Sequence, residues 1–333
     1  MEQPKNPAKW TLIGFAIASA LLAVEATLNV LDIPASPNEF RFVTPDFKVN
    51  EVFNEFGAQM IPDNELFWKM DPEFPGTDAN YLGLRGKLPE GEKNENTVRL
   101  VCIGDSCTFG AGVSLEESYA HQLKQKLLQE NADLEVEPIL AAMVGYSTYQ
   151  NRLLIEKHVS EWNPDISILY CGAWNDGLPA VRQSDHVRGK ILAQTRIAQL
   201  IRNTLQRQNP IDFERIAAGE APDGPRVPLV AFRENLETMI DLCQASSKSI
   251  VLIVPPLPEP TATKYPILKE YQTTVMEVAK TRDLAHVNAH QLFKEYSSKT
   301  GEQLFIDWVH PNASGHELLA KAVANVIHSR NKP

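Results

Sequence analysis

From Val98 onward the sequence predicts an α/β domain in which a parallel sheet lies between two helix layers. Two patterns carry this reading. Short apolar runs recur at 98–104, 136–143, 166–171, 250–254 and, more weakly, 286–289, and amphipathic stretches separate them. A strand with one wet face alternates apolar and polar residues, whereas an unbroken apolar run is buried on both faces, as in a parallel sheet covered by helices.

The intervening helices announce their starts. Ser114-x-x-Glu117, Ser147-x-x-Gln150 and Ser314-x-x-Glu317 have the spacing of capping boxes, in which two side chains satisfy two orphan amides at a helix N-terminus. The last opens a stretch with Leu318, Leu319, Ala322, Val323, Val326 and Ile327 on one stripe, and Phe232, Leu236, Met239, Ile240 and Cys243 form another. The element order βαβαβ…αβαβα, with right-handed crossovers, gives a doubly wound, flavodoxin-like three-layer α/β/α sandwich with a central, about five-stranded parallel sheet. Such sheets bind ligands outside the C-terminal ends of their strands.

Three segments are expected: an N-terminal anchor or signal at 1–33, a lead-in at 34–95 and the main domain at 96–333. Lys5 and Lys9 precede the run 10–31, apolar except for Thr11, Ser19, Glu25, Thr27 and Asn29. As a helix this run would span roughly 33 Å, enough to cross a bilayer. Lysines on its N-terminal side favour an N-in orientation with the main domain outside the cytoplasm. A signal peptide cleaved after Ala26, with Val24 at position −3, is the rival reading, and a buried core helix is a third. The lead-in carries Phe40, Phe42, Phe47, Phe53, Phe56, Phe67 and Trp68, too much apolar surface for a disordered linker, so it should pack on the main domain.

The chain carries 42 acidic against 32 basic residues, net −10, which disfavours a nucleic-acid partner. The four cysteines (Cys102, Cys107, Cys171, Cys243) show no metal spacing and are expected to be reduced, buried residues. An insertion at about 178–228 interrupts the strand–helix alternation. It carries an apolar stripe (Ile191, Leu192, Thr195, Ala198, Ile201, Leu205) with Lys190, Arg196, Arg202 and Arg207, then a Gly/Pro-rich run. It leaves from the end of the third strand and is expected to shape the substrate pocket.

Chemistry-bearing residues fall at strand ends. The first strand ends in Gly104-Asp105-Ser106, the second in Gly145-Tyr146-Ser147 and the third in Gly172-Ala173-Trp174-Asn175-Asp176. A serine there can be a nucleophile, a glycine can expose a backbone N–H, and a neutral amide can bond a developing oxyanion without titrating. Taken singly, each could be an ordinary turn, with Asn175 or Asp176 closing an Asx turn. Near the C-terminus Asp307-Trp308-Val309-His310 places a carboxylate three residues before a histidine. It can bond Nδ1–H and leave Nε2 to accept a serine proton. Asp283-x-x-His286 has the same spacing but precedes a strand and is assigned a structural role. His286 and His290 lack the converging acids of a metal site. Neither metal nor cofactor is implied.

These four blocks in order resemble the SGNH (GDSL-like) hydrolase superfamily over about residues 95–330. The stretch Asn80-Tyr81-Leu82-Gly83-Leu84-Arg85-Gly86 is similar to the lead-in of its membrane-anchored bacterial members. The resemblance implies Ser106 as nucleophile, Asp307 and His310 as the rest of a triad, and an oxyanion hole from Ser106, Gly145 and Asn175. It also implies an ester substrate that is a small molecule, lipid or glycan. Two other readings share the residues: a carbohydrate O-acyltransferase with the same triad, and a glycan-binding or assembly factor without turnover.

Overall fold

The computed structural model describes residues 7–31, 60–63, 65–91, 93–172, 174–178, 180, 184–190, 195–198, 200–201 and 224–330. They fall into two compact units, Met1–Phe40 with Val187–Asp212, and Arg41–His186 with Phe213–Pro333. The lead-in residues Phe40 to Phe56 and the insertion residues Ile191, Leu192, Arg202, Leu205 and Arg207 lie outside the described residues.

In the first unit one helix, Pro7–Val30, holds the apolar run, and its stretch Ala8–Val30 is long and apolar enough to cross a bilayer. Its large side chains, among them Trp10, Leu12, Phe15 and Leu22, are exposed, unlike those of a core helix. The pattern fits a membrane span or a signal sequence. Its polar residues are satisfied locally: Thr27 Oγ1 donates to the Ala23 carbonyl and Asn29 Nδ2 to that of Glu25. The Glu25 carboxylate accepts the amides of Arg196 at 2.6 Å and Ile197 at 3.0 Å, capping a short helical stretch of the insertion.

The second unit opens with a hairpin that the sequence reading did not foresee. Strand β1 (Met60–Asp63) pairs antiparallel with β2 (Phe67–Met70). The main sheet follows: β3 (Thr97–Gly104), β4 (Glu135–Ala142), β5 (Ile166–Tyr170), β6 (Ser249–Val254) and β7 (Ala285–Asn288). All its pairings are parallel and the order is β4-β3-β5-β6-β7, the doubly wound arrangement expected. Leu100, Ile103, Ile168 and Val251 are fully buried between the helix layers, each contributing about 1.5–3 kcal/mol. All four cysteines are buried and free, as read.

Register decides where the site forms. Gly104 at the end of β3 is level with Ala142 on β4 and with Tyr170 on β5. The chain segments that leave these three strands therefore start from one edge. Space there is tight, since a Cβ on Gly104 would stand 2.2 Å from Thr108 Oγ1 and from the Tyr170 carbonyl oxygen. Only glycine allows the first turn after β3 to fold back so closely.

The three capping patterns had different outcomes. Ser147 and Gln150 form the expected box at the head of helix Thr148–Trp162. Ser114 and Glu117 bond reciprocally as well, but they close a turn, and helix Tyr119–Glu130 starts later, capped by Ser118. Ser314 lies inside the last helix, Ala313–Arg330, and Asn312 accepts the Gly315 amide in its place. An asparagine at this position competes as well as serine for the cap.

A buried carboxyl ties the exit of β5 to a helix start. Asp176 accepts the Thr148 amide at 3.0 Å and the Thr148 hydroxyl, at the N-terminus of helix Thr148–Trp162. Burial pushes its pKa up to about 7, against the Thr148 donors and the charge of Arg226. The folded protein then keeps this proton to about pH 7, while an unfolded chain releases it near 3.8. Folding takes up a proton in that window, so stability falls as pH rises through it. Asp176→Asn keeps an acceptor for Thr148 and removes the titration. Melting curves of the variant and the parent should therefore diverge from pH 5 to pH 8 in favour of the variant. Parallel curves would show that the carboxyl is already ionised at pH 5.

Candidate active site

Asp105 closes β3's exit by accepting the Cys107 amide on Oδ1 at 2.9 Å, which starts the short helical turn Ser106–Phe109. Gly110, at φ 78°, ends it. Ser106 is thus the first residue after the cap, and it is 4% exposed. Arg85, from the 80–86 stretch, holds the far end of this turn. Its Nη1 donates to the carbonyls of Phe109 at 3.0 Å and Gly110 at 2.9 Å, and its Nη2 to that of Val113.

His310 arrives on the turn before the last helix. Asp307 Oδ1 accepts the amides of Val309 and His310, each at 2.8 Å, which fixes the turn. Its other oxygen, Oδ2, lies 2.7 Å from His310 Nδ1, and His310 Nε2 lies 2.9 Å from Ser106 Oγ. Burial raises the Asp307 carboxyl. The His310 hydrogen bond and charge, with the two amides, outweigh it and hold the group below the ordinary carboxylate range. Neighbours lock the turn from outside: Thr261 Oγ1 donates to the Trp308 carbonyl at 2.6 Å, and the Trp308 ring lies 4.4 Å from that of Trp174.

Asn175 sits in the turn Trp174–Gly177 after β5. Its Nδ2 donates to Asp105 Oδ2 at 3.0 Å, so its amide is oriented by the residue just before Ser106. Asn175 Nδ2 is thus engaged with Asp105, while the Asp176 carboxyl is engaged with the start of helix Thr148–Trp162. Burial raises the Asp105 carboxyl, while the Cys107 amide, His310 and Asn175 oppose it. Gly145 adopts φ 78° in the turn after β4.

Ser106, His310 and Asp307 therefore form one hydrogen-bonded series, and Asn175 is bonded to Asp105, the chain neighbour of Ser106. Gly145 sits in the turn after the neighbouring strand, with its φ at 78°. The second acid–histidine pair does not assemble: Asp283 accepts from Arg330, and His286 Nδ1 faces the Leu284 carbonyl. His316 is no alternative base, since burial pushes its pKa down to about 3 and the Tyr119 amide bonds its Nδ1. The reading missed Asp105 as an orienting group although it stood inside Gly-Asp-Ser. It also missed Arg226, which bonds Asp185 and the Gly145 carbonyl, each at 2.8 Å, and whose place nothing in the local sequence marks.

Among solved structures the chain is similar to an alpha/beta hydrolase enzyme from the metagenome of Lake Arreo, Spain. The two share 19% identity at a TM-score of 0.50, over 71% of this chain and 97% of that one. It is also similar to the lipase/acylhydrolase from Enterococcus faecalis, at 23% identity and TM-score 0.49 over 71% and 98% of the two chains. An acetylxylan esterase from Geobacillus stearothermophilus matches at 19% and 0.47 over 69% and 94%. Likeness at this identity concerns the fold. No curated protein sequence matches the chain. The model of the GDSL-like Lipase/Acylhydrolase family matches residues 102–318, from β3 into the last helix. With that span matched, the chain belongs to the GDSL-like lipase/acylhydrolase family and is a hydrolase acting on ester bonds.

Proposed function

We propose that Ser106 is the nucleophile of a serine esterase working through an acyl-enzyme, with His310 as base and Asp307 as its orienting partner. The observation that carries this is the series Ser106 Oγ–His310 Nε2–His310 Nδ1–Asp307, at 2.9 and 2.7 Å. Ser106 Oγ attacks the ester carbonyl carbon while its proton passes to His310 Nε2. The depressed Asp307 carboxyl stays ionised and stabilises the imidazolium that forms. The tetrahedral intermediate collapses, the leaving alkoxide takes the proton from His310, and water repeats the sequence on the acyl-serine. The oxyanion is held by the Ser106 and Gly145 amides and by the Asn175 side chain, which Asp105 aims. The substrate is an acyl ester of a lipid, an aryl alcohol or an O-acetylated carbohydrate.

We further infer that the N-terminal helix anchors the chain with its catalytic domain outside the cytoplasm, since Lys5 and Lys9 stand on the N-terminal side of the apolar run that begins at Trp10.

Two sets of measurements test these readings. A fluorophosphonate should label the full-length protein at Ser106. Ser106→Ala should abolish that label and lower turnover by about 10⁴-fold or more without changing the fold. Near-normal hydrolysis by the folded variant would exclude Ser106 as nucleophile. In membranes from expressing cells the chain should resist carbonate extraction and keep residues before Ala26 at its mature N-terminus. A soluble product starting at Thr27 would replace the anchor with a cleaved signal.

A further inference from the structure

We propose that Trp68 is a positioning residue for catalysis: its indole N–H locks the peptide between Val144 and Gly145, and so aims the Gly145 N–H. This rests on the reading of Gly145 as an oxyanion donor. Trp68 belongs to the β1–β2 hairpin, outside residues 102–318 of the family match, and is almost fully buried. Its Nε1 donates to the Val144 carbonyl oxygen at 2.9 Å.

That oxygen and the Gly145 N–H belong to one planar peptide unit. In a trans peptide they point to opposite sides, so the bond that holds the oxygen against Trp68 sends the N–H away from it. The unit is also the soft one in its turn. Tyr146 N–H donates to the Met143 carbonyl at 3.1 Å, and Gly145 has φ 78°. This is the geometry of a type II turn with glycine at its third position. In a type I turn the same four residues would stay in place with the central peptide rotated by about half a turn, which would aim the Gly145 N–H the other way. Glycine permits both forms, and the Trp68 bond selects one.

Further contacts hold the arrangement. Tyr146 donates its hydroxyl to the Trp68 carbonyl at 2.8 Å, a strap to the hairpin backbone that leaves the Val144–Gly145 peptide untouched, whose orientation rests on the Trp68 N–H. Arg226 Nη1 donates to the Gly145 carbonyl at 2.8 Å, which fixes the next peptide. Among the described residues, no acceptor is bonded to the buried Gly145 N–H. A buried amide without a partner is uncommon, and an oxyanion would satisfy it. Donation to the carbonyl of a peptide also polarises its N–H, strengthening the bond that the amide then makes.

Full-length protein in detergent, with para-nitrophenyl acetate as substrate, tests the assignment. Trp68→Phe keeps an aromatic ring and removes the donor. It should lower kcat about tenfold with KM within about twofold, and weaken a boronic acid that forms a tetrahedral adduct by the same factor. Tyr146→Phe removes the strap without touching the Val144 carbonyl and should leave kcat within about twofold. Asn175→Ala, which removes a separate oxyanion donor, should cost about 10²–10³ in kcat. Should Trp68→Phe fail to fold, benzothienylalanine at position 68 replaces the N–H by sulfur in a ring of the same shape, and the same loss is expected. Unchanged kcat in the donor-free variant, or an equal loss in Tyr146→Phe, overturns the role of Trp68. If Asn175→Ala costs its full factor in that case, the oxyanion reading stands. If neither variant changes kcat, the oxyanion reading itself falls.

Discussion

The hydrogen bond between Ser106 and His310 joins residues 204 positions apart, one just after the first strand of the main sheet and one just before the last helix. A single such bond contributes only about 0.5–1.5 kcal/mol net, so it cannot hold two ends of a domain together. The sheet must bring them to within 2.9 Å instead. It does so through buried strands whose ends are level, through a glycine at position 104 that admits no side chain, and through Asp307, which spends one oxygen on its own turn and the other on His310. The geometry of the site is thus a consequence of packing, and the polar bonds refine it.

Around this series lies a second ring of contacts from segments that are not part of the strand–helix alternation. Arg85 grips the turn after Ser106, Trp68 grips the turn at Gly145, and Arg226 grips that same turn from the return of the insertion. Asp105, at the exit of β3, links the turn of Ser106 to Asn175. In the proposed mechanism these partners orient the attacking and oxyanion-holding groups without themselves touching the substrate. Preorganisation of this kind lets dipoles face developing charge without reorganising during the reaction. The lead-in and the insertion return therefore act as outer supports of the site.

Much of this was legible in the sequence because the relevant signals are local. Apolar runs buried on both faces located all five strands of the main sheet within a residue or so, and strand ends pointed to Ser106, Gly145 and Asn175. The spacing of Asp307 and His310 on one turn made their pairing legible too. The hairpin was not legible. Its strands have four residues each, and Phe67 adopts φ 69°, a conformation that only its tertiary surroundings sustain for an aromatic residue. Arg85 and Arg226 escaped for a related reason, since an arginine that bonds carbonyls tens of residues away leaves no periodicity behind. Capping motifs misled where two nearby residues could serve, as Asn312 displaced Ser314.

The central claim is that ester cleavage passes through a covalent acyl group on Ser106. Acid quenching of the full-length enzyme during turnover of an activated ester, followed by mass spectrometry of its peptides, reads that group directly. The account predicts the acyl mass on the peptide containing Ser106, formed and lost at rates consistent with kcat. An enzyme turning over substrate with that peptide always unmodified, or with the acyl mass on another residue, would contradict it.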